Sequence, residues 1–282
     1  MDALENTLGS IKDLPTLPAV IKQVGLLIEN DETDINKIAD IIMTDAALSI
    51  RIIRLVNSAF YGLRNRVTSL QHAVVALGLR SVYNLMLGLS VVKIFKNEKS
   101  EFFDPVLLWQ HSFGCALVCE KLSTTLRYPF PDETFIAGLL HDLGRLALDQ
   151  FAHDTFALAC TRCREANISL VMAEKEIFGF DHAQAGAWLS ERMNIPDSFV
   201  SVIRYHHCLS QIPQEAETYR DLIAIVEMAN RICFTENIGN SGERLIDFGN
   251  EITPFAGKEQ EVMIIGKCVK DRIHATMKGW SM

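Results

Sequence analysis

The chain has 282 residues, a formal net charge of −8 and 49% hydrophobic side chains, of which only a small share is aromatic. That is enough apolar material for one large core or two modest ones, and the dominance of Leu, Ile, Ala and Val suits helices. The acidic balance argues against nucleic acid or an anionic membrane as partner, since both need basic surface.

The N-terminal Met1-Asp-Ala-Leu-Glu5 is acidic and lacks the apolar centre of a secretion signal. The longest apolar run, Val82 to Phe95, is interrupted by Asn84 and Lys93 and is too short to span a bilayer. Seven cysteines, an odd number without an export signal, are expected to stay reduced in a cytoplasmic protein. No strand alternation of useful length occurs, and helical spacing runs through nearly the whole chain. Ile35, Ile38, Ala39 and Ile42 form one stripe; Leu48, Ile52 and Leu55 form the next. Thr68-Ser-Leu-Gln71 has a capping-box pattern, Gly78 is a stop, and Ser81 is placed to cap the following helix. The short charged stretch from Lys96 to Glu101 is the best internal boundary. Asp104-Pro105 opens a helix carrying Trp109, His111, Cys115 and Cys119.

Further on, Asp132 is placed to cap a helix containing His141 and Asp142, and another helix runs from about Asp154 to Asn167. Cys160-Thr-Arg-Cys163 has the spacing of a redox or zinc motif, but no second pair accompanies it, so packing is the better reading. Asp181 caps a helix beginning at His182, and Pro196-Asp197 starts one ending at His206-His207. The polar stretch Gln211 to Glu217 reads as a linker, Leu222 to Cys233 and Glu259 to Met277 as final helices, and Asn237 to Glu243 as a loop.

The chemistry concentrates in the histidines. His141-Asp142 lies in the apolar segment from Phe135 to Arg145, and a buried pair of this kind needs a partner, most often a metal ion. On one helix the two side chains stand about 100° apart and could reach one ion. His111, His182, His206 and His207 flank the pair and make a shared site with it, whereas His72, His153 and His274 read as ordinary surface or core residues. Imidazole and carboxylate suit iron, manganese, nickel or zinc alike. His182, in the first turn of its helix, is favoured as neutral imidazole, the form that binds metal; His206 and His207, at a helix C-terminus, are favoured as cations and could hold phosphate instead.

The order His, His-Asp, His, His-His resembles the metal-dependent phosphohydrolases of the HD superfamily. Leu14-Pro-Thr-Leu-Pro18, Asp45-Ala-Ala-Leu48, Arg54-Leu-Val-Asn-Ser-Ala-Phe-Tyr-Gly62 and Ser69 to Gly78 narrow the resemblance to the HDOD family. It implies an all-α fold: an N-terminal helical half (13–98) packed on an HD-like half (99–211), with 212–282 as a helical extension completing the latter. It also implies bacterial signal transduction, with a signalling protein in trans or a phosphorylated small molecule as partner.

Carried over by residue, the resemblance implies one metal at His111, His141 and Asp142. His182, His206 and His207 would complete a second site or contact phosphate. Asn230 stands where the pattern expects a closing aspartate, with Glu227 nearby as a possible substitute. As an enzyme, the chain would use Asp142 to bridge ions or orient the nucleophile and Arg145 to balance phosphate charge. The divalent ion would acidify water and polarise the phosphoryl oxygen. His206-His-Cys-Leu-Ser-Gln-Ile-Pro213 lacks the Gly-Tyr-Pro of cyclic di-GMP phosphodiesterases, so that substrate is not expected.

Overall fold

Helix starts follow local capping chemistry. The computed structural model describes residues 2–9, 16–29, 34–57, 61, 63–95, 98–243 and 264–270. Every element among these described residues is helix or turn, and no strand occurs. The first helix, α1, is Asp2–Leu8; α2 (Ala19–Glu29), α3 (Ile35–Met43), α4 (Ala46–Val56), α5 (Leu70–Leu77) and α6 (Leu79–Ile94) follow. Asp34 and Asp45 accept backbone N–H bonds in the first turns of α3 and α4, satisfying donors that a helix leaves open. The cap of α5 is Ser69, which accepts from His72 N at 3.1 Å, one residue later than the Thr68 box implies. Gly78 (φ 88°) ends α5 as expected. Ser81 does not cap α6: that helix has already begun at Leu79, and the Ser81 hydroxyl donates back to Leu77 O instead.

Two units divide the chain, one within Pro15–Ile94 and the other containing α1 with Phe95 onward. In the first, α3 packs on α2, α4 and α5, burying Ile38, Ala39 and Ile42 completely; each such isoleucine contributes about 1.5–3 kcal/mol. Asn57 ties the chain after α4 to Val67 through both its amide groups, at 2.8 and 2.7 Å. Phe60 and Gly62 of the motif that begins at Arg54, and Lys96-Asn97 of the charged break, lie outside the described residues. No single helix among the described residues is long and apolar enough to cross a membrane; α5 and α6 pass that test only as a pair bent by 116°.

The second unit is built on α7 (Pro105–Leu126), buried through most of its length and opened by Asp104 with Pro105 at its first position. It packs on α8 (Pro131–Leu140) and α14 (Arg220–Thr235). Between them run α9 (Leu143–Phe151), α10 (His153–Ala166), α11 (Leu170–Phe178), α12 (His182–Arg192) and α13 (Asp197–Tyr205). Asp132 is not the cap of α8; Pro131 already occupies the first turn, and Asp132 lies inside it. The polar 211–217 stretch is not a plain linker but holds parts of two 3-10 turns, Leu209–Gln211 and Gln214–Tyr219. Of the final helix read from Glu259 to Met277, 264–270 is helical and the remainder lies outside the described residues. The short α1 belongs to this unit through Glu5, which accepts from Trp188 Nε1 at 2.8 Å and pairs with Arg192.

Candidate metal centre

His141 and Asp142 do not share a helix. α8 stops at Leu140 and α9 begins at Leu143, so the pair forms the turn between them. The His141 ring explains the break: its Nδ1 donates to Gly138 O at 2.8 Å, the carbonyl that Asp142 N–H would use if α8 continued. Two glycines let neighbouring helices reach this turn. A Cβ on Gly138 would stand 2.8 Å from Cys119 Sγ and 2.9 Å from the Ala116 backbone on α7. One on Gly144 would collide with His182 O and lie 2.8 Å from Gly186 N on α12.

Asp142 is the hub of the site. Its Oδ2 lies 3.3 Å from His141 Nε2 and 3.8 Å from His111 Nε2. Its Oδ1 lies 3.3 Å from His182 Nε2, 3.7 Å from His206 Nε2 and 3.3 Å from Arg145 Nε. The imidazoles are held from behind: His111 Nδ1 by Ile238 O (3.3 Å), His141 by Gly138 O, His182 by Glu174 (2.7 Å) and His206 by Ile203 O (2.9 Å). Anchoring Nδ1–H turns each Nε2 toward the carboxylate, the arrangement that orients histidine ligands on a metal. His141 Nε2, His206 Nε2 and both Asp142 oxygens are buried without a hydrogen-bond partner among the described residues. Buried polar atoms without a well-formed hydrogen bond are costly, and a dication in their midst satisfies them together. The residues therefore fit a metal ion. Two ligand groups meet at the turn, His111–Cys115–His141 and Asp142–His182–His206–His207, each with ligand atoms within 4.8 Å of one another.

The charges reinforce this. Burial opposes the Asp142 carboxylate, but Arg145 and His141 outweigh it and hold its pKa well below the usual range. Burial drives His111 and His206 down to about 4, so both are neutral and ready to ligate. His207 falls too, by desolvation and the neighbouring His206 and His182. The helix C-terminus favours a charged doublet, and the sequence leaves metal and anion binding both open; desolvation outweighs the dipole there. The sequence also predicts a neutral His182. Burial and Arg145 do oppose the charge, but Glu174 and Asp142 raise its pKa to about 9. Its Nε2 then faces His207 Nε2 at 2.9 Å, with His182 donating.

Arg145 is fully buried and closed off. Besides Asp142 it meets Ser241 O and, at 3.1 Å, Glu243 Oε2, while Glu243 Oε1 accepts from Leu170 N at 2.6 Å. Asn230 sits on α14, buried, its Oδ1 without a hydrogen-bond partner among the described residues. Glu227 pairs with Arg231 and belongs to neither ligand group. Cys160 and Cys163 are buried packing residues of α10, with Cys163 Sγ donating to Ile168 O. Glu174, Glu243 and Cys115 are members of the centre that the sequence did not single out. A carboxylate seven positions before a helix-capping Asp-His carries no motif, although His111 and Cys115 stand one helical turn apart.

The chain matches the family model for the HDOD domain over residues 14–209, and it belongs to the HDOD family. It is similar to an HDOD domain protein of unknown function from Geobacter sulfurreducens, at 23% identity and TM-score 0.74, covering 99% of this chain and 93% of that one. It is similar to a candidate phosphohydrolase from Shewanella amazonensis at 24% identity and TM-score 0.68, covering 97% and 93%. A candidate signal transduction protein from Marinobacter aquaeolei matches at 24% and TM-score 0.71, over 97% of this chain and 63% of that one. Likeness at these identities establishes the fold. An uncharacterized protein of Treponema pallidum is 29% identical over 222 residues, and the matched region is 78% of this chain but 42% of that relative's length.

Proposed function

We propose that this chain is a bacterial, cytoplasmic signal-transduction protein whose histidine–aspartate centre binds divalent metal as a structural or sensory element. The half 99–211 with its extension 212–282 would hold the metal, and the helical half 13–98 would report its state to a protein bound in trans. The observation that carries this reading is closure. His111, His141, Asp142, Arg145, His182 and His206 are each at most 1% exposed, His207 is half-buried, and Glu243 engages the arginine that would otherwise meet a phosphate. A metal can be satisfied there from within the fold, whereas a phosphoester needs an open approach.

A second reading, a metal-dependent phosphohydrolase acting on a nucleotide or other phosphoester, is favoured by one feature. Asp142 offers one oxygen to each ligand group, as a carboxylate bridging two ions would. One experiment separates the two. Untagged protein, purified without chelator, is assayed for bound metal and for hydrolysis of bis-para-nitrophenyl phosphate and a nucleotide panel. The expected outcome is one to two equivalents of metal (zinc, iron, manganese or nickel), reduced in His141→Ala, with no turnover above a metal-only control. Turnover that disappears in His141→Ala would establish the hydrolase reading; absence of metal after reconstitution would reject both.

A further inference from the structure

Cys115 lies one helical turn beyond His111 on α7, with its Sγ 3.4 Å from His111 Nε2. The thiol is completely buried and groups with His111 and His141 as a set of metal-ligand atoms. The pattern of histidines and carboxylates that motivates the proposed function has no place for a sulfur ligand. We propose that the first ligand group is a zinc–thiolate site, formed by His111, Cys115 and His141 with Asp142 Oδ2 as the fourth ligand. The inference rests on the reading that the centre binds metal, and it adds the ligand set and the preferred ion.

Three observations support it. First, the geometry fits. Zn–N of about 2.0–2.1 Å and Zn–S of about 2.3 Å at a tetrahedral angle put the two ligand atoms about 3.5 Å apart, close to the 3.4 Å between His111 Nε2 and Cys115 Sγ. For two N/O ligands the same construction gives about 3.3 Å, the separation of His141 Nε2 and Asp142 Oδ2; His111 Nε2 and Asp142 Oδ2 stand at 3.8 Å and would draw together on binding. Second, His141 Nε2 is fully buried within this set and lacks a hydrogen-bond partner among the described residues. Third, the charge balances. Asn230 is neutral where a carboxylate is expected, so two imidazoles and a shared Asp142 leave the dication one anionic ligand short. A Cys115 thiolate restores that charge; on binding, the ion displaces the thiol proton to the buffer.

Thiolate in the set selects zinc over manganese or magnesium. Four protein ligands also leave no open position, which is the form of structural zinc sites rather than catalytic ones.

X-ray absorption at the zinc edge tests the assignment without any assay of activity. Untagged protein loaded with one equivalent of zinc should show a sulfur shell at about 2.3 Å beside nitrogen and oxygen at about 2.0–2.1 Å. Cys115→Ala and the near-isosteric Cys115→Ser should each lose that shell and bind zinc at least tenfold more weakly, while Cys119→Ala keeps both. A nitrogen–oxygen shell alone in the unmodified protein overturns the thiolate site and leaves the metal reading standing. Sulfur that survives in folded Cys115 variants overturns it as well. Failure of the unmodified protein to retain zinc or any other divalent metal rejects this proposal together with the reading it rests on.

Discussion

At the scale of single residues, Glu174 orients a member of the second ligand group. One of its oxygens takes both the backbone N–H and the Nδ1–H of His182, at 2.9 and 2.7 Å, in a fully buried setting. That fixes the tautomer and turns Nε2 toward Asp142. Glu174→Gln keeps the shape but gives up the negative charge, and it is expected to weaken metal binding 10–100-fold in a calorimetric titration with zinc. The metal-free variant should show a second effect. With Glu174 present, the His182 pKa is raised to about 9, above the ordinary imidazole value. The stability linked to that proton is therefore full below the ordinary value and is lost as pH rises through about 9. In Glu174→Gln the imidazole resonance should titrate at distinctly lower pH, and an unchanged midpoint would remove Glu174 from this role.

Among elements, the decisive contact is α9 against α12. Gly144 brings the backbones so close that an added Cβ would strike His182 O and crowd Gly186 N. Backbone cannot yield as a flexible side chain does, so Gly144→Ala should cost about 3 kcal/mol, the upper end of the overpacking range, in urea denaturation and separate His182 from Asp142. A loss below about 1 kcal/mol would mean that α12 can slide and that the centre tolerates it. Much of this level was legible beforehand, because caps are local chemistry. Asp104-Pro105 and Asp181 with Gln184 start α7 and α12 where the sequence places them. Thr68, Ser81 and Asp132 misled because each is one of several polar residues near a helix start, and the selection among them is made by the packing of the whole helix. The His141-Asp142 turn was hidden for another reason. A side chain bonding its own helix's carbonyl ends α8 inside a run whose apolar residues continue unbroken.

Across the whole molecule, the centre is not confined to the matched family region. That match ends at residue 209, yet Ile238 O orients His111 and Ser241 O and Glu243 enclose Arg145. Nothing in the polar loop from Asn237 to Glu243 announces this, since its role depends on where α14 delivers it. Gly239, at φ 64°, passes so close to the start of the His111 peptide that any Cβ would collide with it. Glu243 is the load that this segment adds: it pairs with Arg145 and also accepts from Leu170 N, so one side chain links α9, α11 and the C-terminal segment. Burial works against its charge and raises its pKa despite Arg145. The carboxylate is thus held at some expense, and removing it leaves a fully buried guanidinium short of a partner. Glu243→Ala is expected to lower unfolding stability by about 3–5 kcal/mol, whereas Glu243→Gln, which keeps an acceptor for Leu170 N, should lose less. If the two variants match the unmodified protein in chemical denaturation, the segment is an ornament on a self-sufficient core. If Glu243→Ala is destabilised and also opens the centre to chelator, so that bound metal is stripped faster than from the unmodified protein, the loop is what keeps the site closed.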